Sequence, residues 1–342
     1  MQTMTEGTYD EALERLHRTG PEFDGWLSNH GPMVVESLAR RGAGADAHRW
    51  TDSYIPRLEQ LPRPSQPLHV ATAAESLGDH TRLGDWIAFF ERRLGEQPWQ
   101  EVLAAWWPVL LPGIAAGATH GVIRVGHATV SLRAHENEIR VRELAHGLGY
   151  WAARWQPVAV PVPRGTDSAA SLVLTVPRVA HQDGGIRERL AQLPTTKGWA
   201  ESGAALRGPD TDEDVRRCLD DLVDAVVLAY PRIAVGQPTM LVHAATAPNA
   251  VARALPSLPA QLWLPSFDAA WAATSAVLAA YRPAVLADEG ATMLDADETW
   301  AAAVGNGGEH VVKLADTALD VHERTGDPRA LVAVRTAVVL DA

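Results

Sequence analysis

Apolar residues recur at intervals of three and four along most of this chain, the period of an amphipathic helix. In YDEALERLHRT, Leu13 and Leu16 share a face with charged residues between them. HGPMVVESLARRG opens with Pro32 in its first turn and closes at Gly42, a helix with both ends marked. The same spacing predicts helices over residues 79–95, 135–155, 211–231, 265–281 and 307–325. Acidic openings such as TDED at 211–214 suit a helix N-terminus, where the backbone dipole favours negative charge. A β-leaning stretch at residues 157–179 is cut by prolines and reads as a loop followed by a short apolar segment. No strand alternation persists elsewhere. The pattern predicts an all-α fold, a single large multi-helix domain over residues 1–342. LPRPSQP at 61–67 and PVAVPVP at 157–163 have the composition of linkers, but the helical segments on either side are alike.

Composition narrows the function classes. With 46% hydrophobic and 21% charged residues the chain is an ordinary globular one, and its net charge of -12, without a basic stripe, argues against nucleic acid as a partner. A single cysteine, Cys218, excludes an internal disulfide framework and a CxxC metal site. Any bound metal must therefore take nitrogen and oxygen ligands, and a reducing cytoplasm is the expected compartment. MQTMTEGTYDEALERL lacks the basic start and apolar run of an export signal. The most apolar window, Trp106 to Val130, contains His120, Arg124, His127 and two prolines, which predicts a buried helix pair and not a membrane span. Neither GxGxxG nor GxxxxGK[ST] occurs, so no motif marks a site for NADPH, flavin or nucleotide triphosphate; HExxH and GxSxG are absent too.

The chemistry left is histidine, of which there are thirteen. In ATHGVIRVGHATV, His120 and His127 lie on nearly one face of a helix, about 10 Å apart along its axis. Arg124 stands one turn from His120, and Gly117, Gly121 and Gly126 are expected to leave that face open. His30 precedes Gly31-Pro32 at a helix start, a position equally suited to a ligand and to a capping loop. His243 in MLVHAATAPNA is flanked by apolar residues that imply burial, and a core histidine bonded to a carbonyl would serve there as well. His310 and Lys313 in EHVVKLAD share a helix face. A lysine buried there would have a depressed pKa, and its free amine could take up carbon dioxide as a carbamate; an exposed Lys313 would instead pair with Glu309 or Asp316. His146 and His322 have neighbours that suggest the surface.

In order along the chain, NHGPMVVESL, THGVIRVGHA, ELAHGLGYWAARW, LVHAATAPNAV and EHVVKLAD resemble the questin oxidase-like family over about Tyr9 to Asp327. The resemblance implies oxygenase chemistry, a Baeyer–Villiger-type oxidation or an oxidative ring cleavage of anthraquinone-like polyketides in secondary metabolism. It implies in one branch a mononuclear non-haem iron, Fe(II), held by four histidines and a carboxylated lysine, with dioxygen as co-substrate. Carried motif by motif, the ligands would be His30, His120, His243, His310 and Lys313, in a cavity between helices that also receives the substrate. His127 stands as a substitute for His120 or as a residue facing the substrate, and Arg124 and Tyr150 are the further polar groups expected near it. Trp106, Trp107, Trp151 and Trp155 are candidate walls for a flat aromatic ligand or ordinary core packing.

Imidazole suits divalent iron, and one anionic oxygen ligand lowers the net charge of such a centre. The chain is shorter than the fungal members of that family, which leaves the substrate open, as it does the need for NADPH or another reductant. Two alternatives remain: a cofactor-free oxygenase using His127 as a general base on a phenol, and a non-catalytic helical protein that binds aromatic polyketides.

Overall fold

Each helix expected from the apolar period is present in the computed structural model, which describes residues 2–158, 162–288 and 295–340. The all-α reading holds. Among the described residues the chain divides into two compact units, Met1–Pro157 with Arg253–Pro259, and Val158–Ala252 with Ala260–Ala342. The first boundary falls in the proline-rich 157–163 stretch, of which residues 159–161 lie outside the described residues.

The first unit holds α1 (Gln2–Leu16), α2 (Gly31–Arg40), α3 (Gly44–Tyr54), α4 (Leu83–Glu96), α5 (Trp99–Leu110), α6 (His120–Ala134) and α7 (Glu138–Ala153). The apolar window is the expected pair, α5 and α6. α7 is the hub, packed against α4, α6 and α1, while α2 packs against α1, α3 and α6. Close approach rests on glycine. A Cβ at Gly149 would stand 3.0 Å from the Ile87 backbone of α4, and one at Gly121 would stand 2.8 Å from Trp151 of α7. Gly121 is thus covered by a tryptophan, which corrects the expectation that it leaves the α6 face open. Trp86, Phe89, Phe90 and Trp106 form one aromatic cluster, with ring centroids 5.2–5.8 Å apart. Trp107 meets Trp151 edge-on, so three of the four candidate tryptophans are core packing.

The short antiparallel pair Glu22–Phe23 and Leu27–Ser28 went unpredicted. Asp24 and Gly25 both have positive φ, and the Trp26 N–H donates to the Phe23 carbonyl, a type I′ turn of the kind Asp-Gly favours.

The second unit holds α8 (Ala169–Val173), α9 (Ile186–Leu190), α10 (Trp199–Ala205), α11 (Asp212–Ile233), α12 (Pro238–Ala254, its last two residues belonging to the first unit), α13 (Trp263–Tyr281), α14 (Ala296–Asn306), α15 (Glu309–Thr325) and α16 (Arg329–Leu340). α11 packs against α8, α13, α15 and α16. The 157–179 stretch contains no described strand and includes α8. No helix among the described residues is long and apolar enough to cross a membrane.

Candidate metal centre

α6 starts under strain. Gly117, Ala118 and Thr119 all have positive φ, and the two non-glycine residues cost about 1–3 kcal/mol each, a kind of expense that clusters at functional sites. The turn brings the Gly117 carbonyl back onto the first helical residue, where it accepts from His120 Nδ1 at 2.5 Å. A carbonyl can only accept, so the uncharged His120 carries its proton on Nδ1 and a lone pair on Nε2.

That lone pair points at His30, which caps α2. The two Nε2 atoms stand 2.7 Å apart, with both residues buried. The loop holding His30 is fixed by Asn29, whose side-chain oxygen accepts from Gly31 N–H and whose amide donates to the Gly20 carbonyl. The His30 backbone N–H donates to the Tyr54 hydroxyl at 2.8 Å, and that hydroxyl stands 3.4 Å from His30 Nδ1. Two nitrogens bound to one ion at about 2.1 Å and near right angles would lie about 3 Å apart, so the pair fits a shared metal. Without one, His30 must donate from Nε2.

Farther along the same face, Arg124 and His127 meet buried carboxylates. Glu143 of α7 accepts from Arg124 Nε at 2.5 Å and Nη2 at 2.8 Å, and from His17 Nε2 at 2.9 Å. Burial alone would raise the Glu143 pKa, but the guanidinium and the two sets of hydrogen bonds outweigh it and carry it down to about 2. His127 Nδ1 lies 2.6 Å from Glu36 of α2. Tyr150 is buried, its hydroxyl 2.5 Å from Ser28 Oγ, and burial together with Glu22 keeps it protonated well past its ordinary range.

His146, expected at the surface, is 2% exposed. Its ring lies 4.8 Å from that of His17, and its Nε2 is 3.5 Å from Glu91. Both histidines line a cavity of about 750 Å³ with Glu91, Arg142, Leu94 and Val141, a cavity that does not include His30 or His120 among its walls. His322 is half-buried, donating from Nδ1 to the Asp327 carbonyl.

Burial holds His146 down to about 4 against the pull of Glu91. An unfolded histidine titrates near 6.5, so between pH 6.5 and 4 the unfolded chain binds a proton that the folded one refuses. Stability therefore falls as pH drops through that window, by up to about 1.4 kcal/mol per pH unit for this one group. Glu143, depressed from 4.5 to about 2, continues the loss below pH 4.5. His146→Gln should flatten the slope of urea stability against pH between 6.5 and 4 by about one proton's worth; an unchanged slope refutes the assignment.

In the second unit, α12 presents His243 and α15 presents His310 and Lys313. The two rings are 5.0 Å apart at 69°, with a nitrogen of each within 4.8 Å of one on the other. His243 Nδ1 donates to the Met240 carbonyl at 3.1 Å, which places the lone pair of the uncharged ring on Nε2. Burial and then the neighbouring Lys313 push His243 down to about 3, so it is a neutral donor. Lys313 is 1% exposed, and burial, opposed by Glu309, lowers it to about 7. Much of it is free amine at neutral pH, the condition for carbamate formation.

Each unit thus brings together its share of the expected ligands, His30 with His120 and His243 with His310 and Lys313. Glu36, Glu143 and His17 were not anticipated. Glu36 interrupts an apolar helix face, between Val35 and Leu38, which was a readable sign that something buried answers it. No protein-family model matches the chain, and no curated protein sequence matches it.

Proposed function

We propose that this protein is a non-haem iron oxygenase that cleaves a ring of an anthraquinone-like polyketide, or inserts oxygen beside its carbonyl, in the cytoplasm. The observation that carries the reading is the convergence of the His30 and His120 Nε2 atoms at 2.7 Å. Two imidazoles alone are too few for iron, and the second unit offers the ligand types that would complete the set: His243, held neutral by burial, the His310 imidazole, and an amine poised to become an anionic oxygen donor. The resemblance of the five sequence motifs supports the same five residues. Bound by them, ferrous iron would supply the redox-active position at which dioxygen meets an electron-rich aromatic ring.

The chain's own residues do the rest. His30, His120, His243 and His310 offer imidazole nitrogens. The Lys313 Nζ amine adds to carbon dioxide and loses a proton, leaving a carbamate oxygen in place of a cation. His127 takes the proton of a phenolic hydroxyl, and an electron-rich hydroquinone substrate is itself the source of reducing electrons, without NADPH. Arg124 and Tyr150, each held in an internal bond, fix the frame around the site.

Metal analysis of untagged protein, beside His310→Ala and Lys313→Ala, tests this. About one iron per chain is expected in the wild type, little in the variants, and oxygen uptake with reduced anthraquinones only when iron is present. No metal in any of the three after anaerobic addition of ferrous iron overturns it. The buried Glu36–His127 pair favours one second reading, a cofactor-free oxygenase, whose oxygen uptake would be indifferent to chelator.

A further inference from the structure

Two histidines on α6 are held in the same way by unlike partners. The Gly117 carbonyl fixes His120, and the Glu36 carboxylate fixes His127; in each case Nδ1 is the bonded nitrogen. Glu36 is the less expected of the two. It is 4% exposed, on a helix face with Met33, Val34, Val35 and Leu38, where a carboxylate is costly unless something compensates it. Within the first unit it meets His127 Nδ1 at 2.6 Å from one oxygen, Arg40 Nε at 4.0 Å from the other, and the buried phenol of Tyr9, which burial and then the charge of Glu36 keep protonated.

A carboxylate has no proton to return, so Nδ1 of the uncharged imidazole must donate, and Nε2 must carry the lone pair. Within the first unit the hydrogen bond made by the His127 ring is the one from Nδ1 to Glu36. The side chain is 7% exposed, and with Nδ1 covered by Glu36 the nitrogen left to receive a proton is Nε2.

We infer that Glu36 is the positioning residue of this site, locking His127 as the Nδ1–H tautomer so that Nε2 acts as the base toward a phenolic substrate. This rests on the reading of His127 given above. In the step, the substrate O–H bond breaks and the proton forms a bond to Nε2. The electron pair stays on the phenolate oxygen, and the imidazolium is balanced by the Glu36 carboxylate 2.6 Å away. No oxidant or reductant enters this transfer. A partner that only filled space would leave the tautomer free, and an Nε2–H imidazole could not accept the proton.

The ¹⁵N resonances of His127, assigned by comparison with His127→Gln, decide between these. The wild type is expected to show a protonated, pyrrole-type Nδ1 and a bare, pyridine-type Nε2 above the pH at which the ring is charged. In Glu36→Leu and Glu36→Ala, which offer no acceptor, the balance should move toward Nε2–H, and kcat on a reduced anthraquinone should fall about 100-fold with little change in KM, the pattern of a base held in the wrong tautomer. A wild-type His127 protonated on Nε2, or a tautomer unchanged in whichever variant keeps native circular dichroism, overturns the inference. Failure of the oxygenase reading looks different. The wild type then binds no iron and consumes no oxygen, while the resonances still report whether Glu36 sets the tautomer.

Discussion

Arg124→Ala should destabilise the protein by about 3–5 kcal/mol, the cost typical of breaking a buried ion pair from one side. The reason lies in what stays behind. Glu143 is 1% exposed and ionised down to about pH 2, and it depends on two guanidinium hydrogen bonds for that. With Arg124 gone, His17 Nε2 is its one remaining strong donor, and the carboxylate must either stay charged and uncompensated or take up a proton. Glu143→Ala strands the guanidinium instead, whose Nη1 is already buried without a partner. The double replacement Arg124→Met with Glu143→Leu removes both charges and keeps their volume, so it should recover most of the loss. Urea unfolding of the four proteins at pH 7 checks this. A loss below about 1 kcal/mol for Arg124→Ala would mean that water reaches the pair and that α6 and α7 are not clamped there.

The contrast between what could be read in the sequence and what could not follows from the range of each interaction. Helix periodicity is local, so α2, α4, α7, α11, α13 and α15 were legible from apolar spacing, and the His120–Arg124–His127 face from 3.6-residue geometry. The groups that answer this face are distant in sequence. Glu36 lies 91 positions from His127 and His30 lies 90 from His120, and no spacing rule links them. Glycine misled for a related reason. Gly121 looks like an opening along one helix, but it is the place where Trp151 of another helix fits. His146 was read as exposed from its small neighbours Ala145 and Gly147, yet such neighbours are what let α7 bury that side against its partners. The hairpin at Asp24-Gly25 was a missed local signal: two-residue strands are too short for alternation to show, but the turn dipeptide was there.

His120→Ala should lower iron affinity by more than about 100-fold, beyond what loss of a group that merely orients a ligand produces. Tyr54→Phe provides that comparison. Its hydroxyl touches His30 through the backbone N–H and Nδ1 without reaching Nε2, so its loss should cost about tenfold. The difference follows from proton placement. The Gly117 carbonyl commits the His120 proton to Nδ1, so in the metal-free protein His30 bridges the 2.7 Å gap by donating from Nε2. The proposed iron site would require His30 to shift its proton to Nδ1, where the Tyr54 hydroxyl can accept it, and would ask no such adjustment of His120. His30→Ala and His120→Ala therefore each remove one proposed ligand, but only His120→Ala also discards a lone pair already fixed in direction. Its affinity loss should be the larger, measured as competition for ferrous iron against a chromogenic chelator under nitrogen. Metal retained by His120→Ala at the wild-type level would mean that the 2.7 Å contact is an ordinary histidine–histidine hydrogen bond, bought by the strained Ala118–Thr119 turn for some purpose other than a metal.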